Sequence, residues 1–135
     1  MAAPDDFLYE YSVVRYVPRV DREEFINIGL LMLCKRRKWL KGQIHLDTVR
    51  LKAFDPSTDV ERLSRQASLF TMTDQPASDI PQEEKYRWLS AVKSAVLQVS
   101  PSHPGILPHS ESMNAEEAIV QLEKEFNRLF TQLIL

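Results

Sequence analysis

Cysteine, glycine and histidine are scarce in this chain of 135 residues, which has one, three and three of them, respectively. The single Cys34 excludes an intramolecular disulfide, and a Cys/His zinc site of the usual kind needs more cysteines or clustered histidines. The glycines form no glycine-rich phosphate-binding loop. The longest apolar run, 28–34, is much shorter than the roughly 20 residues that a membrane helix needs. We therefore expect no cofactor, metal ion or membrane span.

Neither sign of charge dominates the sequence. Its 17 basic and 19 acidic residues give a formal net charge of −2, and 44% of the residues are hydrophobic. A DNA-binding domain is usually basic overall, so non-specific duplex binding is disfavoured, although a local basic patch stays open. The N-terminal MAAPDDFLYEY lacks the basic segment and long apolar stretch of a secretory signal. These features predict a soluble, cytoplasmic protein with an ordinary core.

Three apolar segments in the first third of the chain predict β-strands. They are rich in the β-branched and aromatic residues that favour strands. Short connections join them, namely residues 18–24 and the basic tetrad 35–38, so consecutive strands should pair as an antiparallel meander. The predicted strands run from Leu8 to Val17, from Phe25 to Cys34 and from Trp39 to Leu46.

The apolar residues change to a helical spacing after residue 46. Residues 47–54 predict two helical turns. A second helix is predicted from about Thr58 to Phe70, because Thr58 and Glu61 have the spacing of a capping box. A third helix begins near Pro81 and presents Leu89, Val92, Ala95, Val96 and Val99 on one side.

The last third of the chain holds a proline-rich stretch, 100–112, and the clearest helix pattern. The proline-rich stretch is predicted to be irregular, with one short extended piece at most. Asn114 and Glu117 then form a capping pair ahead of an apolar stripe. Strands followed by helices predict one α+β domain over 1–135: a three-stranded or slightly larger meander over about 8–46, with three to four helices over about 47–135 packed on it. The stripe comprises Ala118, Ile119, Leu122, Phe126, Leu129, Phe130 and Leu133.

The predicted second strand is apolar on both faces, which is typical of a central strand covered on both sides. Helices would cover one face, and either the remaining helix or a second copy of the chain would cover the other. Gly29 in mid-strand indicates a bulge or the close approach of another backbone. Strict alternation places Ile26, Ile28, Leu30 and Met32 on one face, and Phe25, Asn27, Gly29, Leu31 and Leu33 on the other.

A Tyr-Ser-x-x-Arg-Tyr-x-Pro pattern followed by Arg-x-Glu-Phe-x-Asn-x-Gly spans the first two predicted strands. Its residues are Tyr11, Ser12, Arg15, Tyr16 and Pro18, then Arg22, Glu24, Phe25, Asn27 and Gly29. This motif resembles an uncharacterised bacterial family of small cytosolic proteins, a domain of unknown function. The resemblance implies no particular activity. Members of the family look like neighbours of genes for HipA-like kinases, which implies an accessory role and such a kinase as a candidate partner.

Four of the motif residues, Arg15, Arg22, Glu24 and Asn27, are a candidate ligand site. Arginine forks suit a carboxylate or a phosphate, so the four could bind a small anionic ligand if they line one pocket. The alternative is a structural network, in which Arg15 lies near Asn27 on paired strands and Arg22 with Glu24 is a solvated pair. We favour the structural interpretation, because structural ion networks are commoner than binding sites.

The basic tetrad with the residues that follow it is a candidate nucleic-acid patch. Basic side chains would hold phosphates, and the indole would stack on a base. The alternative is a solvated hairpin tip whose charge blocks aggregation of a strand edge, with Trp39 in the core or on the sheet surface. The acidic overall balance favours this alternative. The patch comprises Lys35, Arg36, Arg37, Lys38, Trp39 and Lys41.

Cys34 and the scattered histidines are weaker candidates. A nucleophilic cysteine needs a base within reach, and the sequence identifies no histidine partner, so a buried structural Cys34 is favoured. His103 and His109 lie six residues apart, and this spacing matches no standard metal motif even with Glu111 nearby. We expect a plain loop there.

The absence of a recognisable catalytic constellation favours a non-catalytic accessory or protein-interaction domain over an enzyme. Its partner would be another protein or a second copy of the chain. The first alternative is a nucleic-acid-binding module that uses the basic hairpin tip. The second is a small-molecule binder or enzyme built on Arg15, Arg22, Glu24 and Asn27, which requires a concave pocket around the four.

Overall fold

One antiparallel sheet of five strands lies in the computed structural model, which describes residues 8–74, 81–91, 94, 96–107 and 114–135. The strands are β1 Leu8–Tyr16, β2 Ile26–Cys34, β3 Trp39–Ile44, β4 Leu97–Val99 and β5 His103–Ile106. The first three pair consecutively, so the predicted meander is confirmed. On its other side β1 pairs with β4 along its C-terminal half and with β5 along its N-terminal half.

Helices follow the meander along the chain, which confirms the α+β class. β4 and β5 lie between the last two helices, so the sheet is larger than the three strands of the meander. The helices in the described residues are α1 Thr48–Phe54, α2 Val60–Ala67, α3 Gln82–Ala91 and α4 Ala115–Leu133, with 3₁₀ turns at Val20–Arg22 and Ser68–Asp74.

Side-chain caps begin three of the helices. The predicted Asn114 cap of α4 is confirmed, because its Oδ1 accepts a hydrogen bond from the backbone nitrogen of Glu117 at 2.8 Å. The predicted capping box of the second helix is wrong. Asp59 caps α2 instead, accepting from the backbone nitrogen of Arg62 at 3.1 Å. A carboxylate is at least as good an N-cap as a hydroxyl, which leaves Thr58 for another partner.

Helices cover both faces of the sheet. α4 packs on one, called the α4 face below, and α1, α2, α3 and the Ser68–Asp74 turn pack on the opposite face. The remaining helix therefore covers the second face, which was one of the two expected alternatives. The buried core of the α4 face comprises Tyr9, Val13, Leu30, Met32, Cys34, Leu107, Leu122, Phe126, Leu129, Phe130 and Ile134. The core of the opposite face includes Val14, Tyr16, Ile26, Ile28, Leu31, Leu33, Leu40, Leu51, Leu63, Phe70, Tyr86, Leu89, Leu97 and Val99.

A β-bulge lies next to Gly29, as the mid-strand glycine predicted. Val14 of β1 pairs with Gly29, and the next residue, Arg15, pairs with Asn27, so Ile28 is the extra residue of β2. The backbone of β3 also approaches closely. A Cβ added at Gly29 would lie 2.9 Å from the carbonyl oxygen of Gln43, which is tighter than ordinary contact. Both expected reasons for a glycine at this position are present.

The bulge reverses the alternation of β2 part-way along the strand. Before it, Ile26 and Ile28 point into the core opposite α4. After it, Leu30 and Met32 point into the core beneath α4. The prediction that all four share one face is wrong, because one inserted residue moves every later side chain to the other face.

The predicted third helix ends earlier than its apolar pattern. α3 ends at Ala91, and Leu97–Val99 forms β4, in which Val99 pairs with Val14. Val92 and Ala95 of the predicted stripe lie outside the described residues. Leu97 and Val99 are two positions apart, which places their side chains on the same face of a strand. The backbone of β1 provides the hydrogen-bond partners that this strand needs.

Candidate functional site

Motif residues of β1 hold covering segments in place. The Ser12 hydroxyl lies 2.7 Å from the hydroxyl of Tyr86 on α3, and both side chains are fully buried. The Tyr86 hydroxyl also lies 2.8 Å from Ser102 Oγ. The Tyr16 hydroxyl is 3.2 Å from Oγ1 of Thr58, just before α2. Because an unpaired buried hydroxyl costs about 1–3 kcal/mol, these contacts favour one position of each segment on the sheet.

Arg15 and Asn27 lie side by side on β1 and β2. The Asn27 side-chain nitrogen donates to the carbonyl oxygen of Leu133, in the last turn of α4, at 3.2 Å. The Arg15 guanidinium carbon lies 4.3 Å from the ring centroid of Phe25. Arg15 Nε and Asn27 Oδ1 are buried and have no hydrogen-bond partner within the described part of the chain. Asn27 therefore contacts α4, and among the described residues the pair leaves one donor and one acceptor unmet.

Arg22 and Glu24 lie apart from that pair, in the connection between β1 and β2. Arg22 Nε donates to Glu24 Oε1 at 2.6 Å, and the two side chains are 59% and 52% exposed. Both line a groove of about 250 Å³, whereas Arg15 and Asn27 do not. The four candidate site residues are thus divided between two surroundings and do not line one pocket. The groove is lined by Pro18, Arg19, Arg22, Glu24, Phe54, Asp55 and Pro56.

Three large apolar side chains are exposed near this groove: Val20 and Phe25 in the connection between β1 and β2, and Phe54 at the end of α1. Val20 is 50% exposed, Phe25 45% and Phe54 37%. Glu23 adopts the left-handed conformation, with φ 55, which is uncommon for a residue other than glycine. A valine within a polar connection was the one signal available in the sequence. We call the set Val20, Arg22, Glu24, Phe25 and Phe54 the loop surface; of these, Arg22, Glu24 and Phe54 line the groove.

The structure divides the candidate nucleic-acid patch. The tetrad 35–38 forms the tight turn between β2 and β3 and is largely exposed. Trp39 is partly buried and packs edge-on against Phe126 of α4, with 6.4 Å between ring centroids. Lys41 Nζ lies 2.5 Å from Oε2 of Glu123. Trp39 and Lys41 therefore belong to the packing of α4, and only the tetrad remains together at the surface.

Cys34 and His103 have ordinary packing environments. Cys34 is 1% exposed and lies in the core beneath α4. The His103 ring lies 5.2 Å from the ring centroid of Tyr11. His109 and Glu111 lie outside the described residues. Within the residues that are described, no group of three or more His, Cys, Asp or Glu side chains could hold a metal ion.

An ionisable cluster that was not predicted joins β1 to α4. The Tyr9 hydroxyl donates to Glu125 Oε2 at 2.6 Å, and Arg128 Nε donates to Glu125 Oε1 at 2.5 Å. The hydrogen bond from Arg128 is the main cause that lowers the pKa of Glu125, and the bond from Tyr9 acts in the same direction. Burial, aided by Glu125, raises the pKa of Tyr9 above its usual range. The cluster stabilises helix packing.

The comparison with known protein families covers almost all of the elements described above. A family model described as "Protein of unknown function (DUF3037)" matches residues 11–134. The chain belongs to the DUF3037 family. No curated protein and no solved structure matches the chain. Membership of DUF3037 assigns no biochemical activity, so the function stays open at the level of the family.

The helices bear on the expectation about membranes. Among the residues described, none of the helices combines the length and the hydropathy that a bilayer-spanning segment requires.

Proposed function

We propose that this DUF3037 chain is a non-catalytic protein-interaction domain whose loop surface docks on another protein. The observation that carries the proposal is the exposure of Phe54 in a groove that also contains Arg22, together with the exposure of Val20 and Phe25 in the connection that supplies Arg22. Aromatic side chains and arginine are enriched at protein interfaces and dominate their binding energy. Glu23 adds a strained backbone conformation in the same loop, and strain of that kind clusters at functional sites.

The unmet polar atoms behind Phe25 add a specific element of recognition. Arg15 Nε is one donor and Asn27 Oδ1 is one acceptor, which together complement a single peptide group. In this proposal Phe25 moves aside on docking, and a peptide group of the partner bonds both atoms. Satisfying two buried polar atoms at once would favour the complex, because each is costly to leave unpaired.

The partner in this proposal is another protein of a bacterial cytoplasm, and the family resemblance makes a HipA-like kinase the first to test. A small anionic ligand has less support, because Arg22 is already paired with Glu24 and Arg15 lies outside the groove. Nucleic acid has less support, because Trp39 and Lys41 pack against α4.

A matched pair of surface variants tests the proposal. Val20 on the loop surface and Val120 on α4 are each 50% exposed, so Val20→Asp and Val120→Asp introduce the same charge at equal exposure on different elements. The tagged wild-type chain and both variants are used to capture proteins from lysate of the host, with and without nuclease treatment. We expect one stoichiometric protein to be retained by wild type and Val120→Asp and lost from Val20→Asp.

The same comparison contains the results that would overturn the proposal. A partner lost equally from both variants, or retained by both, would mean that the loop surface is not the docking site. A partner that disappears on nuclease treatment would favour the nucleic-acid alternative. Once a partner is identified, Asn27→Ala should weaken its binding by roughly tenfold, about 1.4 kcal/mol, if the unmet acceptor is used.

A further inference from the structure

A second apolar surface lies at the other end of the sheet, on the face opposite α4. Leu33 of β2 pairs with Glu10 of β1, and Glu10 pairs with Pro104 of β5, so the three side chains form a row across three strands. In the next row, Leu8 pairs with Ile106. Leu8 is 38% exposed and Ile106 is 66% exposed, so this end of the face carries apolar side chains that the helices leave accessible.

A groove of about 390 Å³ follows these rows and is larger than the groove of the loop surface. Its volume lies within the roughly 300–1,000 Å³ typical of ligand pockets. The floor is aliphatic, and one end reaches the turn between β2 and β3. We call it the hairpin groove, and it is lined by Leu8, Tyr9, Glu10, Leu33, Lys35, Arg36 and Pro104.

Charge is distributed unevenly along the hairpin groove. Lys35 and Arg36, the first two residues of the basic tetrad, lie at one end of the groove, and the Lys35 side chain is 70% exposed. Lys35 Nζ lies 3.4 Å from Oε1 of Glu83. Glu10 is neutralised by Arg87, whose Nη2 lies 2.8 Å from Glu10 Oε2. Exposed pairs of this kind contribute little to stability, so Lys35 can exchange Glu83 for a carboxylate of a ligand at little cost.

We infer that the hairpin groove binds an extended peptide segment of a partner protein, in which an apolar side chain lies next to acidic residues. The apolar side chain packs on Leu8 and Pro104, and the carboxylates bind Lys35 and Arg36. Charge complementarity identifies this occupant. The aliphatic floor favours the apolar half of the segment, and the basic end favours its acidic half. The hairpin groove is separate from the loop surface, so the proposal for one surface can be wrong while the proposal for the other holds.

The same groove is poorly suited to a nucleic acid. Single-stranded nucleic acids bind by stacking bases on aromatic side chains. Leu8 and Pro104 supply aliphatic surface instead, and the Tyr9 ring is only 6% exposed. The basic tetrad is therefore interpreted as a peptide-binding element.

Selection from a library of random displayed peptides tests the inference without a known partner. The full chain is the target, and a double charge reversal, Lys35→Glu with Arg36→Glu, is used for counter-selection. Enriched peptides are then measured by fluorescence anisotropy. We expect Asp or Glu next to Leu, Ile or Phe in the enriched sequences, and a roughly tenfold loss of affinity in the double variant and in Leu8→Ser.

A matched control variant distinguishes binding in the hairpin groove from a general effect of the protein's charge. Arg62→Glu with Arg65→Glu reverses two exposed charges on α2 and should leave the affinity within about twofold. No enrichment, enrichment of peptides without acidic residues, or equal losses in both double variants would overturn the inference. The inference would also be overturned if a thymidine oligonucleotide displaced the labelled peptide at a lower concentration than the unlabelled peptide does. A wild-type dimer that Leu8→Ser converts to a monomer would assign the groove to a second copy instead.

Discussion

The two faces of the sheet are covered in different ways. A single helix of 19 residues, α4, covers one face. Segments of 7 to 10 residues cover the other. Polar contacts of α4 with the sheet include part-exposed ones such as Lys41 with Glu123. On the opposite face, the Ser12–Tyr86 hydroxyl pair is fully buried.

Helix length accounts for this difference. α4 buries a continuous apolar stripe over about five turns, so the stripe is the main determinant of its position on the sheet. A helix of two turns has too few apolar residues to define its own position. Buried hydroxyl pairs supply the missing specificity, because a displaced segment would leave both hydroxyls without partners. Long and short coverings are therefore positioned by different interactions.

Truncating a large core side chain should be the most destabilising change on either face. Phe126→Ala beneath α4 and Phe70→Ala on the opposite face each remove a fully buried ring, which should cost about 3–5 kcal/mol of unfolding free energy. Urea unfolding can be followed by circular dichroism and by Trp39 fluorescence in a Trp88→Phe background, since Trp39 contacts Phe126. We expect coincident transitions. An earlier Trp39 transition in Phe126→Ala would show that the α4 layer unfolds separately.

Gly29→Val should destabilise both faces together, by about 1–3 kcal/mol. The added Cβ would lie 2.9 Å from the Gln43 carbonyl oxygen and 3.3 Å from Val14 Cβ, so the bulge has to shift. Because the bulge determines which side chains of β2 enter each core, the near-ultraviolet circular dichroism of aromatic residues on both faces should weaken. Gly29→Ala is the graded control and should cost less in a thermal melt. An unchanged melting temperature for Gly29→Val would mean that the bulge relaxes freely.

Removing one hydroxyl from each face should separate the two kinds of covering. Tyr86→Phe leaves Ser12 without its buried partner and should cost about 1–3 kcal/mol. Tyr9→Phe leaves Glu125 bonded to Arg128 at a part-exposed position and should cost about 0.5–1.5 kcal/mol. Chemical denaturation of the two variants checks the order. A larger loss in Tyr9→Phe would contradict the distinction between buried hydroxyl pairs and rim contacts.

The smallest predicted effect is the pH dependence that Glu125 contributes on the α4 face. The folded pKa of Glu125 is lowered, chiefly by the hydrogen bond from Arg128. A lowered pKa contributes stability above the unfolded value of about 4.3, and that stability is lost as the pH falls through the lower folded value. Between pH 7 and pH 3, wild type should lose more unfolding free energy than Glu125→Gln, by less than about 1 kcal/mol. Identical losses would show that the cluster contributes nothing.

Sequence periodicity was informative where one element buries one continuous stripe. α4 and the first three strands were predicted close to their observed bounds for that reason. The third helix was predicted too long, because Val99 fits a helical spacing with Val96 as well as the strand alternation with Leu97. The cap at Asp59 was missed because Thr58 and Asp59 are adjacent candidates of similar quality.

The arrangement of the candidate site residues was likewise predictable from the sequence only in part. The register of β1 and β2 brings Arg15 beside Asn27, which the sequence analysis proposed as one possible pairing. The separation of Arg22 and Glu24 from that pair depends on the loop between the strands, where Glu23 takes a left-handed conformation. Loops lack a repeating pattern, so no spacing rule could place Phe54 beside Arg22 in one groove.

The sequence by itself determined the α+β class, the central apolar strand and the C-terminal helix, because local propensity and spacing carry that information. Only the tertiary structure decided which side chains of β2 face α4, since one inserted residue at Ile28 reverses them. It also decided that Trp39 and Lys41 pack on α4 while the tetrad 35–38 stays beside the hairpin groove. Contacts between residues distant in sequence depend on packing across the sheet, and packing has no local signature in the chain.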